Sequence, residues 1–232
     1  MKFSIDHGPS FAWLRVNLEP GESIQAEAGA MVMRSPQLEM STRLNAGRGA
    51  GIFRKFLAII TAIFRKFFGG EAMFVNEFSG TQRGEVVIAP ALSGHVVHRR
   101  LGPNDRLLLQ AGAYLASTGN IDAKLKWGGI RTLFGGEGLF LLECTGEGDL
   151  FINAYGSIVP IEVSGEYIVD TGHIVAFDGS LNFKIKGVSG GLKSLFFSGE
   201  GLVVNFSGRG TVYLQSRNVS ALVGWISPFL RS

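Results

Sequence analysis

The chain has 232 residues, 46 % of them hydrophobic and 18 % charged, with a formal net charge of +3. That balance excludes a disordered chain, and a chain of this length buries roughly 70 % of its unfolded surface without disulfide or metal staples. One cysteine, Cys144, excludes an internal disulfide and any multi-cysteine zinc site. Glycines number 33 against 7 prolines, which predicts tight turns between short strands.

Residues 1–20 lack a continuous apolar stretch and a small-residue cleavage site, so no secretory signal is expected. The longest uncharged apolar run, Phe56 to Phe64, has nine residues, under half of the ~20 that a membrane helix needs. The expectation is a protein of a reducing, cytoplasmic compartment, peripheral at most to the inner membrane face.

Two anchors recur along the chain. Glu22, Asp105 and Glu166 each follow a turn and stand seven, seven and six positions before Gly29, Gly112 and Gly172. Further on, Glu71, Glu137 and Glu200 precede Gly80, Gly146 and Gly208 by nine, nine and eight. The order is the same each time, which predicts three copies of one unit. Acids placed beside turns are read as acceptors of backbone N–H groups rather than as catalytic pairs.

Within the units the period is two. Ile121, Ala123, Leu125 and Trp127 alternate with Asp122, Lys124 and Lys126, and Leu181, Phe183 and Ile185 alternate with Asn182, Lys184 and Lys186. Such alternation is a half-buried strand. The runs Leu139–Leu142 and Leu202–Val204 read as strands buried on both faces. The predicted fold is mainly β: one domain over 1–229, of three internal β-repeats around a pseudo-threefold axis, sandwich- or barrel-like. Repeat one covers 12–92 with an insert at 43–68, repeat two 93–155, and repeat three 156–229.

That insert breaks the pattern. From Gly29 to Glu71 takes 42 residues, against 25 and 28 for the matching intervals. The surplus coincides with Ile52–Phe68, which divides cleanly on a helical wheel. Phe53, Phe56, Phe64 and Phe67 fall on the apolar half, and Arg54, Lys55, Arg65 and Lys66 on the other. Residues 43–68 hold six basic and no acidic side chains, so the rest of the chain carries an excess of acid. The pattern suits a helix that covers a sheet or lies in an oligomer interface, and these eight residues are also the candidate contact with an anionic membrane surface or a protein partner. Nucleic acid is disfavoured, because the basic face has no aromatic for base stacking.

The catalytic inventory is thin. His95 and His98, three apart in a predicted strand, point to opposite faces and form no zinc triplet. His173 stands where the other units have Ala30 and Ala113. Cys144 takes the slot of Phe78 and Phe206, which reads as a small buried hydrophobe. Gly47-Arg-Gly-Ala-Gly lacks the ending of a phosphate loop, and no Gly-x-Ser-x-Gly elbow occurs. No catalytic, metal or cofactor-binding residue is assigned, and no cofactor is expected.

Leu18-Glu-Pro-Gly-Glu22 followed by Glu27-Ala-Gly-Ala-Met31 resembles the altered-inheritance-of-mitochondria protein 24 family. Gly69-Gly-Glu71 with Phe74, and Phe78-Ser-Gly80, support the resemblance, which covers nearly the whole chain. It implies a fold like that of the tryptophan RNA-binding attenuation protein, and it implies no reaction. Its mitochondrial relatives are associated with the inner membrane and with organelle organisation. The resulting expectation is a non-enzymatic scaffold or interaction module, homo-oligomeric, and membrane-associated through 52–68. The alternatives are a small-molecule binder or enzyme with a pocket between repeats, and RNA binding by fold analogy alone.

Overall fold

The computed structural model describes residues 1–44, 74–127, 140–187 and 202–230. The chain is mainly β. Strands β1 (Lys2–Asp6), β2 (Trp13–Leu18), β3 (Ser23–Glu27), β4 (Met31–Arg34), β5 (Glu39–Leu44), β6 (Phe74–Ser79) and β7 (Gly84–Ile88) come first. Then follow β8 (Val96–Leu101), β9 (Arg106–Gln110), β10 (Tyr114–Thr118), β11 (Asp122–Trp127), β12 (Phe140–Thr145) and β13 (Gly148–Asn153). The last stretch holds β14 (Ile158–Asp170), β15 (Ile174–Asp178), β16 (Asn182–Gly187), β17 (Leu202–Gln215) and, among the described residues, the helix α1 (Val219–Leu230).

Among the described residues, the strands form three sheets, in the orders β1-β2-β7-β4, β5-β6-β3-β10-β13-β8 and β11-β12-β9-β15-β17-β14, with β16 added on β17. All their ladders are antiparallel, and the same four pairings occur in each stretch. Setting aside β1, which pairs only with β2, the first strand pairs the last, as β2 with β7, β8 with β13, and the first half of β14 with the end of β17. The third strand takes the other edge of that last strand, with a register shift at the same place: Met31/Met33, Tyr114/Ala116 and Ile174/Ala176.

Alternation places the faces. Leu14, Val16 and Leu18 of β2 are buried between half-exposed Trp13, Arg15 and Asn17, and Ile121 and Ala123 are buried beside exposed Lys124. The consecutive Leu141 and Leu142 are both buried, as a strand covered on two faces requires. Leu202–Val204 departs from that expectation: Leu202 and Val204 are buried while Val203 between them is only partly so. There β17 alternates like the other half-buried strands.

The third stretch also corrects the first anchor. Ile24, Leu107 and Tyr167 lie opposite Phe78, Cys144 and Phe206, so these positions correspond. Counting back two residues puts Gly165, not Glu166, at the place of Glu22 and Asp105. Pro20 and Pro103 lack an N–H for a ladder, and the chain turns there. With Ser164-Gly165 instead, β14 runs through the same point in one unbroken 13-residue ladder with β17. Gly165 takes φ +117° there, a conformation that side chains rarely adopt.

Among the described residues, the buried apolar side chains form three clusters. A close approach recurs in each stretch: Gly84 opens β7, Gly148 opens β13 and Gly210 opens the second half of β17, against buried Leu38, Ile121 and Leu181. A Cβ at Gly84 would lie 2.5 Å from Leu38 Cγ, and one at Gly148 would lie 2.2 Å from Thr118 Oγ1.

Candidate functional site

Phe53, Arg54, Lys55, Phe56, Phe64, Arg65, Lys66 and Phe67 lie outside the described residues, as do Glu71, Glu137, Glu200 and the Gly47–Gly51 stretch. Of the remaining anchor acids, Glu22 and Asp105 act as turn acceptors, whereas Glu166 lies within β14 opposite Ser207. Glu19 N–H donates to Glu22 Oε2 at 2.9 Å and Gly102 N–H to Asp105 Oδ2 at 2.8 Å. The Glu19 amide, and after it the Met1 amino group, hold the Glu22 carboxyl below the usual carboxylate range.

The histidines are dispersed. His95 precedes β8 and joins Gly156 and Ala154 through its backbone. His98 places Nε2 2.8 Å from Asp149 Oδ1, while Arg100 holds the other oxygen at 2.9 Å. Phe3 and Phe151 flank the His98 ring at 4.7 and 5.3 Å. His173 Nδ1 lies 2.8 Å from the Gln215 carbonyl oxygen. Among the described residues, no three His, Cys, Asp or Glu side chains gather closely enough to hold a metal ion. Cys144 is fully buried, and burial pushes its thiol up to about 12. The thiolate that nucleophilic chemistry needs is therefore suppressed.

A polar hollow of 460 Å³ lies where β8 and β9 meet the end of β15. Arg99, Arg106, Asp105 and Asp178 line it. Each is engaged: Arg99 stands 5.5 Å from the Tyr213 ring centre and 3.9 Å from Asp178, and Arg106 donates to the Gly179 carbonyl. Asp178 Oδ2 accepts from the Thr211 amide at 2.8 Å. Two cations thus face two carboxylates, each of which also accepts a backbone N–H.

The other conspicuous surface is apolar. Helix α1, VSALVGWISPFL, carries no charged side chain and buries no residue. Trp225 and Phe229, 67 and 76 % exposed, stand one turn apart with ring centres separated by 5.8 Å. Asn218 opens the helix, its Oδ1 accepting from the Ala221 amide at 3.2 Å. Sequence reasoning passed over this segment, although twelve uncharged residues between Asn218 and Arg231 were the available signal.

The profile of the family described as mitochondrial biogenesis AIM24 matches residues 3–217. The chain belongs to that family. Within the AIM24 family it is similar to an uncharacterised protein of Streptococcus pyogenes serotype M6, 33 % identical over 99 % of this chain and 91 % of that one. It is also similar to a Streptococcus pyogenes protein solved by X-ray crystallography, with a TM-score of 0.79, 31 % identity and 99 % of both chains covered. The matched span ends at Arg217, so α1 lies just beyond the AIM24 profile. Among the described residues, no helix is long and apolar enough to cross a membrane.

Proposed function

We propose that this AIM24 chain is a non-enzymatic interaction module that works at a membrane surface. The observation that carries the reading is α1. Twelve residues make a helix of about 18 Å, too short to span a bilayer. An exposed helix with Trp and Phe one turn apart suits the boundary between headgroups and acyl chains. The six basic residues between 43 and 68 add attraction to anionic lipid. The buried thiol of Cys144 and the dispersed histidines supply no nucleophile–base pair, which favours binding over catalysis.

Flotation with phosphatidylserine-containing vesicles tests this. Removing Trp225 and Phe229 from the lipid costs about 2 kcal/mol each, so Trp225→Ser/Phe229→Ser is expected to lower partitioning at least a hundredfold with the fold retained. Arg54/Lys55/Arg65/Lys66→Glu is expected to remove the salt-sensitive part of binding. Wild-type protein that stays at the bottom of the gradient, or a double variant that floats as wild type does, refutes the reading.

A further inference from the structure

Two junctions link the three stretches, and both are made alike: β3 pairs with β10, and β9 with β15. Each completes a sheet of one order, β5-β6-β3-β10-β13-β8 and β11-β12-β9-β15-β17-β14. A third sheet of that order reads β16-β17-β14-β4-β7-β2. Both halves of it exist in this chain. The half β16-β17-β14 stops at the outer edge of residues 165–170, and the half β2-β7-β4 stops at β4. Among the described residues, no ladder joins the two.

Burial distinguishes the formed junctions from the open one. Ile24 and Ala26 of β3, and Leu107 and Leu109 of β9, are buried. At the matching positions of β14, Tyr167 is 46 % exposed and Val169 only partly buried, and Ile168 between them is 71 % exposed. On the opposite side, Leu115 and Ala116 of β10 are buried, as are Val175 and Ala176 of β15. Their counterparts in β4, with Met31 before them, are an apolar row: Met31, Val32 and Met33, 39, 49 and 47 % exposed. An uncovered, apolar strand edge is a template for another strand. An apolar hollow of 370 Å³ lies beside it, lined by Ile161, Val163, Tyr167, Ile168, Val212 and Leu214 among others.

We propose that these edges are the two sides of one contact between copies of this chain, in which residues 165–170 of one copy pair antiparallel with residues 31–35 of the next. The occupant is a second copy because each chain ends in the two complementary halves of a sheet that it builds twice already. The formed junctions set the register. Ala116 faces Ala26 and Ala176 faces Leu109, so Met33 faces Val169, followed by Arg34 with Ile168 and Ser35 with Tyr167. The contact is head-to-tail, and it closes into a ring where the rotation between copies permits. Self-pairing here needs no membrane, so it stands or falls apart from the membrane reading.

The test mixes Met33→Cys chains with Val169→Cys chains under mild oxidation. Met33 is exposed and Val169 partly so, while Cys144 is buried and does not compete. A covalent dimer formed by the mixture, and far less by either variant alone, is the expected result. Sedimentation of the unmodified chain is expected to give a mass above 25.0 kDa, falling to that of one chain with Ile168→Lys and, independently, with Met33→Lys. No dimer in the mixture overturns the proposal. So does a wild type that sediments as one chain at every concentration, or a Met33→Cys/Val169→Cys variant whose disulfide forms only within a chain.

Discussion

Gly84→Ala probes how the last strand of each stretch is seated against the core. The added Cβ would stand 2.5 Å from Leu38 Cγ and 2.7 Å from its Cδ2, where carbon atoms prefer 3.5–4.0 Å. Leu38 therefore has to retreat by about 1 Å. It is buried, its amide donates to Ser35 O at 3.1 Å, and Arg34 donates to its carbonyl, so the turn that carries it is held. Overpacking of this kind costs about 2 kcal/mol. Alanine also removes about 0.5 kcal/mol of unfolded-state freedom, which partly offsets the clash.

Leu38→Ala alone loses a buried leucine, about 3 kcal/mol. In the double variant the space vacated by Leu38 accepts the new methyl. The total is then expected near 3 kcal/mol, about 1.5 below the sum of the single changes. Thermal and urea unfolding of the four proteins measures this, with Gly84→Ala lowering Tm by roughly 3–6 °C for a chain of this size. Single effects that add to within about 0.5 kcal/mol refute the packing account.

The Cys144 thiol, with its pKa raised to about 12 by burial, is expected to resist a disulfide reagent at pH 8 in folded protein and to react at once in urea; fast labelling of the native state contradicts this. At the β1–β2–β7 surface, Arg15 bridges Asp6 at 3.1 Å and Glu85 at 2.8 Å. The Trp13 indole N–H and then Arg15 lower the Asp6 pKa, so the stability this carboxylate contributes is present above its unfolded pKa, ~4, and is lost as pH falls through the lower folded value. Tm measured from pH 6 down to pH 2 is expected to fall more for wild type than for Asp6→Asn, the two converging at the acid end; a constant gap refutes it.

What the sequence settled by itself is local. Side chains alternate across a strand with period two, so Ile121, Ala123 and Leu181 could be read as inward-facing without coordinates. The acids after Pro20 and Pro103 could be read as turn acceptors, because a carboxylate three residues on reaches the amide at the turn's start. The slot shared by Phe78, Cys144 and Phe206 showed in the spacing, and the structure buries all three. The motif at Leu18–Met31 pointed to the AIM24 family, whose profile matches residues 3–217.

The rest depends on contacts distant in sequence. Glu166 carries the right charge at nearly the right spacing, yet the ladder with β17 puts Gly165 in its place, and only cross-strand pairing reveals a one-residue slip. Apolar alternation marks segments as strands. It does not say which edge each one meets, because backbone donors and acceptors are alike in every strand. Tertiary structure decided that β3 and β9 are covered by β10 and β15 while, among the described residues, no strand pairs with the edges of β4 and β14. The exposure of α1 was decided there too: an apolar segment reads the same in sequence whether or not a core lies beneath it.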